Sequence, residues 1–97
     1  MVKRYYVYIL GNEAVTCLYI GVTNDLRGRT NQHGSGLGRG FTARYRISKL
    51  LYFEEYPDPR QAIAREKQLK SWRREKKDAL IRTMNPELYD LRPQLWT

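Results

Sequence analysis

Apolar and polar positions follow a period of two in two short stretches near the start of the chain. Tyr5-Tyr6-Val7-Tyr8-Ile9-Leu10 is dense in aromatic and β-branched residues, the composition that fits a pleated strand. Gly11-Asn12-Glu13 supplies turn chemistry, and Cys17-Leu18-Tyr19-Ile20-Gly21-Val22-Thr23 reads as a second strand. A short polar connection makes an antiparallel hairpin the economical pairing. Alternation then places Val7 and Ile9 on one face and Tyr6 and Tyr8 on the other. Leu18, Ile20 and Val22 share a face in the second strand, opposite Tyr19 and Gly21. If the aliphatic faces coincide, Tyr8 and Tyr19 emerge together on the reverse side.

The pattern changes to helical spacing after Thr23. Asn24 or Asp25 can cap a helix from Leu26 to about His33, weakened by Gly28. A glycine-rich loop, Gly34 to Gly40, precedes a third strand over Leu50-Leu51-Tyr52-Phe53. Asp58-Pro59-Arg60-Gln61 is a strong helix start, with a capping Asp and Pro at the first helical position. That helix runs to about Lys70, and a break at Ser71 or Trp72 leads into another, Arg73 to about Met84. Asn85-Pro86 ends it, because the residue before proline avoids helical geometry. The result is an α/β fold with a small three-stranded antiparallel sheet flanked by helices, in the order ββαβαα. Residues 1–84 form the domain, and 85–97 a tail whose Leu88, Tyr89, Leu91, Leu95 and Trp96 pack back on it.

Charge narrows the choice of partner. Eighteen Lys and Arg against ten Asp and Glu give a net +8 on 97 residues. Such an excess favours a polyanion, nucleic acid ahead of an anionic membrane. No apolar run approaches the roughly 18 residues of a spanning helix, and the N-terminus lacks a signal-peptide layout. A cytoplasmic protein with no membrane association is expected. A single cysteine, Cys17, and a single histidine, His33, exclude an internal disulfide and a standard zinc site. Cys17 is expected to pack in the core. The glycine-rich loop lacks the Gly-Lys-Ser/Thr ending of a nucleotide-binding loop, and no organic cofactor is indicated.

Two features carry candidate chemistry. Glu66 lies three or four positions from Ala62, Ile63 and Leu69, on the inward stripe of its helix. A carboxylate there needs a cation, either a metal or an ion-pair partner such as Arg29 or another arginine. The second feature is basic. Five arginines (Arg27, Arg29, Arg39, Arg44 and Arg46) and no acidic residue fall between positions 27 and 46. Glycines and arginines suit phosphate contacts, while Phe41 and Tyr45 offer stacking surfaces. From Arg65 to Lys77 run seven basic residues and two acidic ones, including Lys70, Arg73, Arg74 and Lys76. The two clusters could form a surface that follows a nucleic-acid backbone; a solvated helix face is the plainer reading of the second.

At this point the residues resemble a known family. Tyr6-Val7-Tyr8 followed by Leu18-Tyr19-Ile20-Gly21 is similar to the paired strand motifs of the GIY-YIG nucleases. The second motif matches fully; the first has Tyr6 in place of Gly and Val7 in place of Ile. Arg29, ten residues after Tyr19, matches the family's essential arginine, and His33, a turn later, a histidine found in many members. Glu66, within Ala64-Arg65-Glu66-Lys67-Gln68-Leu69, matches the metal-binding glutamate. The likeness covers about Tyr5 to Leu80 and looks closest to small stand-alone bacterial members. It implies that Tyr8, Tyr19, Arg29, His33 and Glu66 converge on one concave surface that hydrolyses DNA with one Mg2+ or Mn2+. In this reading Glu66 holds the ion, Arg29 the scissile phosphate, and one tyrosine deprotonates water. Tyr8 is favoured for that role, with the reverse assignment open. His33 would relay a proton or contact phosphate, and Asn85 would contact phosphate or only end its helix. The alternative is a non-catalytic or weakly catalytic DNA-binding protein, with an RNA-associated or protein-interaction module behind it.

Overall fold

The computed structural model describes residues 3–34 and 46–96, with the side chains of 31–34 and 96 outside the description. Most of the glycine-rich loop, Arg39, Phe41, Arg44, Tyr45 and the His33 side chain therefore lie outside the described residues.

Strands β1 (Tyr5–Gly11), β2 (Leu18–Thr23) and β3 (Lys49–Tyr56) form one antiparallel sheet in the order β2-β1-β3. The hairpin register pairs Val7 with Val22 and Ile9 with Ile20, so the aliphatic side chains share a face as alternation predicts. On the reverse face Tyr8 pairs with Gly21 and Leu10 with Tyr19. β3 runs three residues past the predicted end at Phe53, because Glu54, Glu55 and Tyr56 continue the ladder against β1. A register shift between Ile9 and Leu10 leaves Leu51 unpaired, and Leu51 joins Tyr52 in the core on the aliphatic face.

Helices α1 (Leu26–Gly34), α2 (Pro59–Ser71) and α3 (Arg74–Met84) cover the sheet, followed by a 3-10 turn, Arg92–Trp96. Asp25 is the α1 cap: its carboxylate accepts from the Gly28 amide at 3.1 Å. Gly28, expected to weaken the helix, serves this cap, since a Cβ there would collide with the Asp25 carboxylate. Asp58 caps α2 by accepting from the Arg60 amide at 2.8 Å, with Pro59 in the first turn. α3 starts one residue later than predicted, because Arg73 stays extended at its cap.

Both faces of the sheet are buried. Val7, Ile9, Ile20, Leu51 and Tyr52 meet Ala62 and Leu69 of α2 and Ile81 of α3. On the other side Tyr8, Leu10 and Leu50 meet Leu26 of α1, Ile47 and Leu91, with Cys17 packed at the margin. The tyrosine face is thus a second core, which single-strand alternation does not reveal.

Residues 85–96 supply part of that core through Leu91. Asn85, expected to reach phosphate or merely to stop α3, does more than stop it and is not available to phosphate. It is 3% exposed, and its amide donates to the Leu51 carbonyl at 3.1 Å and the Tyr89 carbonyl at 2.7 Å. Its own side-chain oxygen accepts from the Tyr89 amide. Farther on, the Leu91 amide donates to the Leu50 carbonyl at 2.8 Å, and Asp90 accepts from the Leu50 amide at 3.1 Å.

Candidate functional site

The tyrosines of the hairpin stand side by side. The Tyr8 and Tyr19 ring centroids are 6.3 Å apart at 39°. They differ in environment, since Tyr8 is only 1% exposed whereas Tyr19 is half-buried. Gly21 makes this possible: it sits directly across from Tyr8, and its missing side chain leaves the room that the Tyr8 hydroxyl fills.

Arg29 reaches both tyrosines from α1. Its guanidinium interacts with the Tyr8 and Tyr19 hydroxyls, and these interactions hold its proton more firmly than usual, Tyr8 contributing most. Burial pushes the Tyr8 hydroxyl above its ordinary pKa; the Arg29 hydrogen bond works against that shift, and the nearby Tyr19 and Glu66 reinforce it. Glu66 is therefore within electrostatic reach of Tyr8, although it belongs to α2, which packs on the aliphatic face. Beside Arg29 opens a cleft of about 330 Å³ lined also by Thr23, Asp25 and Gly28.

Glu66 is 20% exposed and pairs with Lys70, one turn along the same helix, at 3.3 Å. The sequence points to Arg29 or another arginine as its ion-pair partner; the structure supplies a lysine instead. An i, i+4 pair with a half-exposed lysine is weak and easily exchanged. Among the described residues no group of three or more His, Cys, Asp or Glu side chains is gathered for a metal.

The basic residues divide between the open surface and the scaffold. Arg27, Arg46 and Arg73 are exposed. Arg74 donates to the Val15 and Thr16 carbonyls and pairs with Asp78 at 2.9 Å, which fastens α3 to the β1–β2 turn. Lys76 lies 4.2 Å above the Trp72 ring, and Arg65 flanks the same indole at 5.1 Å. Residues 65–77 are thus partly an internal scaffold, not a uniform basic surface.

Sequence reasoning missed a second carboxylate, Glu54. It accepts from the Tyr52 hydroxyl at 2.5 Å, the Tyr56 hydroxyl at 2.6 Å and Arg65 Nε at 2.9 Å. Burial alone would raise its pKa, but Arg65, Tyr52 and Tyr56 together hold it below the usual carboxylate range. With its oxygens so engaged, Glu54 ties β3 to α2 and is a poor metal ligand. Tyr52, Glu54 and Tyr56 recur at period two, and a strand drawn through Tyr56 would have put them on one face.

A hairpin carrying paired tyrosines, an arginine on the following helix and a glutamate on the next define a class of nuclease-like domain. Residues 4–79 match the sequence profile of the GIY-YIG catalytic domain, and the chain belongs to that family. Its relatives are small proteins called UPF0213. One from Bacillus pumilus is 40% identical over 84 residues, covering 87% of this chain and 85% of the relative. Another from Clostridium perfringens is 40% identical over 76 residues, covering 78% and 81%. The solution NMR structure of a UPF0213 protein from Bacillus halodurans has the same fold, with a TM-score of 0.55, 29% identity and coverage of 87% and 88%. Among the described residues no helix is long and apolar enough to cross a membrane.

Proposed function

We propose that this chain is a divalent-metal-dependent endonuclease that hydrolyses DNA phosphodiester bonds. The observation that carries the proposal is the arginine shared by two strand tyrosines, with Glu66 in electrostatic range of the more buried one.

The residues fit a Mg2+ or Mn2+ ion in one respect that matters. Such ions are commonly held by one or two carboxylates, with waters and substrate phosphate completing the shell. Glu66 offers one carboxylate held only by a weak pair with Lys70. When bound, the ion would stabilise charge on the phosphate and on the leaving oxygen. Arg29 binds the scissile phosphate and opposes the negative charge that grows as water adds to phosphorus. The proton of that water passes to a tyrosine oxygen as the tyrosine's own hydroxyl proton moves on to solvent, while the bond from phosphorus to the leaving oxygen breaks and that oxygen takes a proton from solvent. Burial and a raised pKa keep the Tyr8 hydroxyl from giving up its own proton, as a base here must, so we assign Tyr19 as the base and Tyr8 to holding Arg29 in place. His33, four residues beyond Arg29 on α1, is proposed to relay the proton or contact phosphate. Arg27, Arg46 and Arg73 are proposed to bind flanking DNA phosphates.

The Glu66–Lys70 pair favours one other reading, a DNA-binding protein in which Glu66 is structural. Plasmid, branched and single-stranded DNA incubated with Mg2+, Mn2+ or chelator separates the two. Metal-dependent cleavage by wild type, lost in Glu66→Ala with DNA affinity unchanged or slightly higher, supports the enzyme. No cleavage of any form, together with an earlier melt of Glu66→Ala, establishes the binder.

A further inference from the structure

A second pocket of about 320 Å³ lies next to the proposed active site and has no role in the chemistry above. Tyr6 and Phe53 form one wall, their rings meeting edge to face at 6.5 Å and 68°. Leu26 and Leu95 line it from the α1 start and the 3-10 turn, with Arg27, Asn24, Asp25 and Glu55 also bordering it. Asp25 borders the Arg29 cleft as well, so the two depressions are neighbours on either side of that residue. Tyr6 and Tyr8 point to the same side of β1, two residues or roughly 7 Å apart.

We infer that this pocket receives one unstacked nucleobase of a DNA strand whose phosphate lies at Arg29. The inference rests on the nuclease reading and names its substrate as DNA with an unpaired nucleotide at the site. The volume is at the small end for organic-ligand pockets, which run from roughly 300 to 1,000 Å³. The lining argues for a base: two aromatic rings and two leucines wall the pocket, an apolar surface that suits a flat ring better than a phosphate. Glu55 and Asp25 both border the pocket; Glu55 pairs with Arg4 at 3.0 Å, and Asp25 is committed to the α1 cap. A carboxylate at the border can accept from the amino group of a base. Aromatic side chains stack on any base, and Arg27 at the rim can meet the backbone. The position also carries a departure from the family's name: Tyr6 stands where a glycine would leave no ring.

The test is binding in chelator, where no cleavage occurs. A short single-stranded oligonucleotide is compared with the same sugar-phosphate backbone lacking bases. Wild type is expected to prefer the base-bearing strand about tenfold, the order of one base stacked on an aromatic side chain. Tyr6→Leu should abolish that preference while keeping affinity for the base-free backbone, and Tyr6→Trp should restore it. Thermal melts check that each variant is folded. Equal binding of the two strands by wild type overturns the inference whatever the variants do. So does a preference that survives in folded Tyr6→Leu. Cleavage by wild type with Mn2+ is measured separately, so loss of the nuclease reading shows as absent cleavage, and loss of the pocket as absent base preference.

Discussion

The Tyr8 hydroxyl occupies the space that a side chain on its cross-strand partner Gly21 would need. A Cβ there would lie 2.5 Å from that oxygen and 2.7 Å from the ring carbon bearing it. The Tyr8 ring is sealed in the core and has nowhere to move. Gly21→Ala is therefore expected to destabilise the domain by about 1–3 kcal/mol, the usual cost of overpacking. It should also pull Tyr8 from Arg29 and lower cleavage more than DNA affinity. Thermal melts and nicking assays on the same preparation check both; a variant that melts and cleaves like wild type refutes the packing argument.

Arg74 and Arg73 are neighbours with opposite expected phenotypes. Arg74→Ala removes charged hydrogen bonds to two carbonyls of the β1–β2 turn and should cost about 1–2 kcal/mol after allowing for exposure. For a domain of this size that lowers Tm by roughly 4–16 °C. Arg73→Ala should leave Tm unchanged and weaken DNA binding. Melting curves and binding titrations of the pair would expose any reversal.

DNA binding should weaken steeply with salt, with a log–log slope near −0.9 for each phosphate neutralised. Removing Arg27 or Arg73 should shallow the slope by about one unit of neutralised phosphate, and removing Arg74 should not. Titrations at a series of salt concentrations read this directly, and a slope indifferent to Arg27 and Arg73 would show that neither touches the backbone.

The Glu54 centre gives the fold a pH signature at both ends. Its carboxyl is depressed below the model-peptide range in the folded state, so its contribution is complete above the unfolded carboxylate pKa. That contribution fades as pH falls through the folded value, below about 4.5. Burial and then Glu54 push Tyr56 up to about 12 and Tyr52 higher still, so their contribution is complete below about pH 10 and fades as pH rises through 10 to 12. Glu54→Gln should flatten the acid limb and cost about 1–3 kcal/mol at neutral pH, because Arg65 loses its carboxylate. Denaturant unfolding across pH tests it, and an unchanged acid limb would remove Glu54 from the account.

How much of this was readable in the chain depends on the range of the interactions. The hairpin, its register and the shared face of Tyr8 and Tyr19 follow from alternation, a local property. The Asp58 and Asp25 caps follow from local turn chemistry. The Glu66–Lys70 pair is also local, one turn apart, and its i, i+4 spacing is legible in the chain. What escaped detection joins distant segments. Arg74 meets carbonyls 58 and 59 residues away, and Asn85 binds Leu51 across 34. The second core behind the tyrosines needs α1, Ile47 and Leu91 to arrive together, and no window of sequence contains them.

One consequence of the tail concerns what this protein does in a crowd. In the order β2-β1-β3, β3 is an outer strand, and outer strands are where identical chains can zip together. Leu50 gives both its amide and its carbonyl to residues 90 and 91, so the tail stands where a neighbouring molecule's strand would otherwise dock. Cutting the chain after Met84 would therefore do more than trim an appendage. It would bare the Leu50 amide and carbonyl on an outer strand and so offer a second copy a place to pair.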